Sequence, residues 1–170
     1  MARVVFVQTC VECDFAYDLT VATEVSARAR DYADDYARIL ISDPARLRRR
    51  TAPTVWSPLE YSCHVRDVLL VQRERVLTAR RVEIPVTEPM GRDERVEHAG
   101  YADEQPEDVS RQLWDAASLF AHALDRLSDD DWERRLVYGY PEPTERTLRW
   151  VAVHTLHELR HHLGDIRRQL

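Results

Sequence analysis

The sequence predicts an all-α fold, a four-helix bundle, and three observations carry that expectation. Four segments of roughly 20 residues each place apolar residues at helical spacing. No stretch alternates apolar and polar residues convincingly enough to be a strand. The composition agrees, because only 4 glycines stand among 170 residues, 32% are charged and every basic residue is Arg, a mixture that favours helix. The length suits one domain, residues 1–170, with 44% hydrophobic residues to fill a core.

The first segment runs from about Asp18 to Ile41 and stops before Asp43 and Pro44. The second begins at "WSPLEY", with Ser57 placed as N-cap, Pro58 at the first helical position and Glu60 completing a capping box. Trp56 and Tyr61 occupy the two positions of a hydrophobic staple, and the helix should continue to about Arg81. From Val82 to Gln105 an irregular stretch holds Pro85, Pro89, Gly91 and Gly100. A connection that long is uncommon inside a domain and tends to be functional. The third helix opens at Pro106 and runs to about Leu127; "SDDDW" reads as a helical turn and "GYPEPT" as a break. The fourth helix is expected from about Glu145 to Gln169, while "RVVFVQ" near the start could be extended but has no partner strand.

The formal net charge of -6 argues against nucleic acid as a partner. Arg46, Arg48, Arg49 and Arg50 form the one basic run; without interleaved aromatic residues it reads as a solvated link between helices. No apolar run approaches the ~20 residues of a membrane span, and the first residues are too short for a secretory signal. The expectation is a cytoplasmic protein with no membrane contact. Three cysteines do not make a disulfide framework. The absence of Lys and Asn suggests an Arg-biased, GC-rich bacterial genome.

Four of the 7 histidines lie in "HTLHELRHH", residues 154–162. The apolar residues Leu148, Ala152, Leu156, Leu159, Leu163, Ile166 and Leu170 fall within a sector of roughly 80°, which is the core face. His162 lies about 70° and Glu158 about 110° from its centre on one flank, whereas His157 and His161 lie about 150 to 180° away. His154, about 140° away, is also expected on the surface. Periodicity therefore favours Glu158 and His162, an i,i+4 pair bordering the core, over the conspicuous His157 and His161. His64 flanks the inward stripe of the second helix, so the three form a candidate His2Glu metal set. The alternative is that His64 and His162 are ordinary buried histidines with hydrogen-bond partners.

At "VWSPLEYSCHVRDV" (55–68) and "HELRHHLGDI" (157–166) the chain resembles the DinB-like superfamily. That superfamily includes bacillithiol and mycothiol S-transferases and the N-terminal domain of a mycothiol-dependent isomerase. The resemblance implies a four-helix bundle holding a divalent metal, zinc or nickel, through the positions of His64, Glu158 and His162. Many members carry His where this chain has Glu158, although the isomerase branch uses a carboxylate there. It further implies a metal-dependent transferase that joins a low-molecular-weight thiol, mycothiol, to small electrophilic molecules. A hydrolase and a non-catalytic stress-response bundle forming a homodimer are the competing readings.

"CVEC", Cys10 to Cys13, has knuckle spacing but no second such pair, leaving a second metal site, a redox dithiol and no role as alternatives, with Cys63 a residue that folding could bring near. It resembles a "CPEC" opening of some actinobacterial relatives. His98 and His122 are solitary and read as surface or structural. Trp114 and Phe120 read as core. Asp67 and Asp165 are candidates to orient ligand imidazoles. Arg66 and Arg75 are candidates to hold polar groups of a thiol, and Val82–Gln105 to be a lid or wall.

Overall fold

The computed structural model describes residues 8–170. The elements follow the order α1 (Val25–Leu40), α2 (Pro44–Arg48), α3 (Pro58–Arg81), β1 (Val86–Thr87), α4 (Arg92–His98), α5 (Pro106–Asp125), α6 (Asp129–Trp132), β2 (Arg135–Tyr138), β3 (Thr144–Thr147) and α7 (Leu148–Arg167). The bundle consists of α1, α3, α5 and α7. A 3-10 turn, Leu19–Glu24, precedes α1 and occupies the first part of the expected helix. The extended piece expected at "RVVFVQ" falls almost wholly outside the described residues.

Local chemistry accounts for the helix starts. Ser57 accepts from the Glu60 amide at 3.3 Å and the Glu60 carboxylate accepts from the Ser57 amide at 2.7 Å, completing the capping box. Trp56 and Tyr61 pack with ring centroids 5.4 Å apart, as the staple requires. Arg50 then donates to both oxygens of Glu60, at 2.8 and 2.5 Å, so this carboxylate ties the α2–α3 link to the start of α3. The basic run is therefore not merely solvated: Arg46 reaches the Leu170 carbonyl, and Arg48 the carbonyls of Ala102 and Glu104. "SDDDW" is indeed capped, by Ser128 and Asp131.

The helices close a ring in the order α1, α5, α3, α7. Tyr36 on α1 donates to the Leu159 carbonyl on α7, and Asp35 meets Arg167, so these two helices run parallel. Arg66 on α3 donates to Gln112 on α5, each near its helix start, so that pair is parallel too. Gln169 reaches the Trp56 carbonyl, which sets α7 antiparallel to α3. Because α3 and α5 are parallel, the chain must travel back along a 24-residue helix of about 36 Å. That return journey explains the long connection, and β1 and α4 lie on it.

A three-stranded sheet, not expected from the residue pattern, pairs β2 with β1 in parallel and with β3 antiparallel. Its strands of two to four residues are too short to show a period. Helix α7 consequently begins at Leu148 behind a Thr147 cap, not at Glu145. Phe120 is buried as expected, but Trp114 is 48% exposed because it lies outside the inward stripe Val109, Leu113, Ala117 and Leu124. Cys63 belongs to a separate apolar cluster with Leu59, Val96 and Tyr101, so folding does not bring it to Cys10 and Cys13.

Burial opposes ionisation of Glu60, yet Arg50 and Ser57 hold its carboxyl below the usual range. A depressed folded value means that its stabilisation is present above the unfolded carboxyl pKa of about 4.3 and is lost as pH falls through the folded value. Ser57→Ala should lower stability by about 1 kcal/mol in urea unfolding. The stability gap between the protein and Glu60→Gln should be full at neutral pH and shrink below about pH 4.

Candidate metal centre

Because α3 runs antiparallel to α7, the second turn of one faces the latter half of the other. His64 from α3 and Glu158 and His162 from α7 meet there, with one donor atom from each within 4.8 Å of the others. His64 Nε2 lies 3.9 Å and His162 Nε2 3.5 Å from Glu158 Oε2. The His64 ring packs against Trp56 and stands edge-on to His162, while His162 stacks on Tyr61. The staple residues that start α3 are thus also the apolar walls of this cluster.

Of the two aspartates weighed as orienting groups, Asp165 fills that role, accepting from His162 Nδ1 at 2.8 Å. That bond turns the His162 Nε2 towards Glu158. Asp67 instead accepts from Tyr101, Arg66 and Arg95. His64 Nδ1 is buried with no hydrogen-bond partner among the described residues, while Nε2 faces Glu158. Two imidazoles and one carboxylate are a donor set that suits a zinc-type divalent ion.

Burial pushes the His64 imidazolium below its ordinary range, with Glu158 working the other way. Burial also disfavours a charged His162, but Asp165 and Glu158 overcome it and lift the group to about 9. Glu158 is disfavoured as an anion by burial, yet His157, His162 and His64 hold it well below the usual carboxylate range. Burial lowers His154 to about 4.

His154, His157 and His161 do not face solvent as the periodicity of α7 implied. His157 is 9% exposed, and the side chains of His154 and His161 are 16% and 15% exposed. The segment Cys10–Tyr17 lies along this face of α7 and supplies a second cover. Tyr17 meets His154 Nδ1 at 3.0 Å, and Phe15 packs on His157 with centroids 5.4 Å apart. His98 and His122 are exposed, in line with the reading of them as solitary.

A cavity of about 350 Å3 opens from these residues, lined also by Gln72, Arg75, Met90, Arg92, Tyr138 and Tyr140. The return connection supplies one wall through Pro89–Glu94. Arg75 lies over the Tyr138 ring at 4.4 Å and donates to the Glu88 carbonyl. Arg66 points elsewhere, bound to Asp67, Glu104 and Gln112. Tyr138, Gln72 and Tyr140 carried no signal in the sequence, since the short sheet brings two of them to the site. Gly139 follows at the sheet edge, where a Cβ would collide with the Thr87 carbonyl.

A DinB superfamily profile matches residues 26–166, which include all three members of the candidate set. The chain belongs to the DinB superfamily. Two solved structures share the fold of this DinB-superfamily chain. YfiT from Bacillus subtilis, described as a probable metal-dependent hydrolase with an unusual four-helix bundle topology, is 16% identical with a TM-score of 0.69, over 89% of this chain and 82% of its own. A mycothiol-dependent maleylpyruvate isomerase is 18% identical with a TM-score of 0.69, over 85% of this chain and 60% of its own. No curated protein matches. Among the described residues no helix is long and apolar enough to cross a membrane.

Gln72 Nε2 donates to the buried Tyr138 hydroxyl at 2.9 Å, and both residues line the cavity. Tyr138→Phe should therefore cost about 1 kcal/mol in urea unfolding, with an unchanged denaturant slope.

Proposed function

We propose that this chain binds a divalent metal through His64, Glu158 and His162 and uses it to transfer a low-molecular-weight thiol, mycothiol or a close analogue, to small electrophilic molecules. The observation that carries the reading is the convergence of these three donors in the lining of an open cavity. The cavity's volume, about 350 Å3, suits a small-molecule substrate. The fold shared with a mycothiol-dependent enzyme supports the choice of thiol.

A zinc or nickel ion held there would supply a positive charge that stabilises a thiolate at neutral pH. The chain's own residues account for the remaining tasks. Asp165 fixes the His162 ring so that Nε2 faces inward. Trp56 and Tyr61 exclude water from the back of the two imidazoles. Arg75, held by Tyr138 and the Glu88 carbonyl, presents a guanidinium at the wall, where it can pair with a carboxylate of the thiol or its acceptor. In the transfer the sulfur forms a bond to the electrophilic carbon as the leaving group departs, and the thiol proton passes to solvent.

A hydrolase is the second reading, favoured by the description of YfiT. The same donors serve it, with water in place of the thiol. Conjugation of mycothiol to a small electrophile, followed beside ester and amide hydrolysis, separates the two.

His64→Ala and His162→Ala should each remove about one equivalent of metal per chain and abolish turnover, as read by elemental analysis and the conjugation assay. Asp165→Asn should keep the fold and weaken metal affinity by about 10- to 100-fold. Metal content unchanged in both histidine variants would refute the assignment, and metal loss without any thiol-dependent turnover in the parent would refute the transferase reading.

A further inference from the structure

A second cluster of soft donors lies behind the first on α7. Cys10, Cys13, His157 and His161 each offer a donor atom within 4.8 Å of the others. We propose that these four residues form a structural zinc site of Cys2His2 composition that clamps the N-terminal segment onto α7.

The sequence shows one C-x2-C pair, and a closed tetrahedral site needs two further ligands. The fold supplies them from the i,i+4 pair on α7, well over 100 residues away in the chain. Tetrahedral Zn–S of about 2.3 Å and Zn–N of about 2.0 Å place sulfur and nitrogen donors roughly 3.5 Å apart. Cys10 Sγ lies 3.8 Å from His161 Nδ1, so the pair is close to the required spacing before any adjustment. Soft thiolates with imidazoles in a tetrahedral set select zinc over harder ions.

Three further observations favour a ligand here. The cysteine loop is a closed turn: the Cys10 amide donates to the Phe15 carbonyl and the Asp14 amide to the Cys10 carbonyl, each at 2.9 Å. Asp14, directly after Cys13, has a left-handed φ of 53°, which turns the chain back into a bridge between Thr9 and Ala16. Second, His157 is 9% exposed, and its Nε2 is buried with no hydrogen-bond partner among the described residues. A buried imidazole in that condition is costly unless something binds it. Third, the far nitrogen of each histidine faces a carboxylate. His157 Nδ1 lies 3.2 Å from Glu158 Oε1, and His161 Nε2 lies 3.3 Å from Glu12 Oε2 and 3.6 Å from Asp165 Oδ2. That leaves His157 Nε2 and His161 Nδ1 for the ion, with carboxylates orienting both rings.

The site is closed by four protein ligands and has no need of an open position, which marks it as structural. Its consequence is positional, because the clamped segment carries Phe15 and Tyr17 over His154 and His157. Glu158 touches both clusters, Oε1 towards His157 and Oε2 towards His64 and His162.

Zinc-edge X-ray absorption and elemental analysis on the purified full chain, grown with zinc, test the proposal. The expected result is sulfur neighbours at about 2.3 Å in the parent, retained in His64→Ala. Cys10→Ser with Cys13→Ser should lose about one zinc per chain while the ion at His64 remains. Should that variant fail to fold, alkylation of the reduced parent serves, with added zinc slowing modification of Cys10 and Cys13 at least tenfold. Zinc with only nitrogen and oxygen neighbours, or thiols alkylated equally fast with and without zinc, overturns it. Sulfur-ligated zinc alone, with none lost from His64→Ala, would uphold this site and refute the one at His64.

Discussion

Glu158 places a carboxylate, 20% exposed, among imidazoles from two helices, and much of the structure is organised around that charge. Oε2 faces His162 and His64, and Oε1 faces His157, with His154 Nε2 at 4.0 Å. An unpaired carboxylate so placed would be strongly disfavoured, so the surrounding histidines hold it ionised. Asp165 extends the network on the far side of His162, and Arg168 in turn pairs with Asp165. A divalent cation would replace the imidazolium proton of His162 as the positive partner of this carboxylate.

Topology decides which residues meet this charge. Were α3 parallel to α7, His64 would lie at the other end of the bundle. The parallel pairing of α3 with α5 also forces a long return connection, and that connection walls the cavity with Pro89, Met90 and Arg92. The same constraint therefore assembles the donors and encloses the space before them. Belonging to the DinB superfamily accounts for the arrangement without fixing the reaction, since one fold carries many chemistries.

The start of α3 was fully legible, because Ser57, Pro58, Glu60 and the Trp56–Tyr61 pair act within one helical turn of each other. Glu158 and His162 were also legible, since a helix with one apolar stripe marks its own flank and the motif resemblance marked the same pair. His157 and His161 were misread as exposed. Their cover, Cys10 to Tyr17, lies well over 100 residues away in sequence and makes no periodic pattern of its own. Trp114 failed for the opposite reason, a large apolar residue that helical spacing to Phe120 suggested was core but that faces outward. The sheet escaped because two- to four-residue strands leave no period to find.

Anomalous diffraction at the zinc edge, on crystals of the full chain grown with zinc, tests the central claim most directly. The account predicts a peak between the His64 and His162 rings and the Glu158 carboxylate. A map in which those three side chains occupy the positions described, zinc is bound elsewhere and no peak lies between them would contradict it.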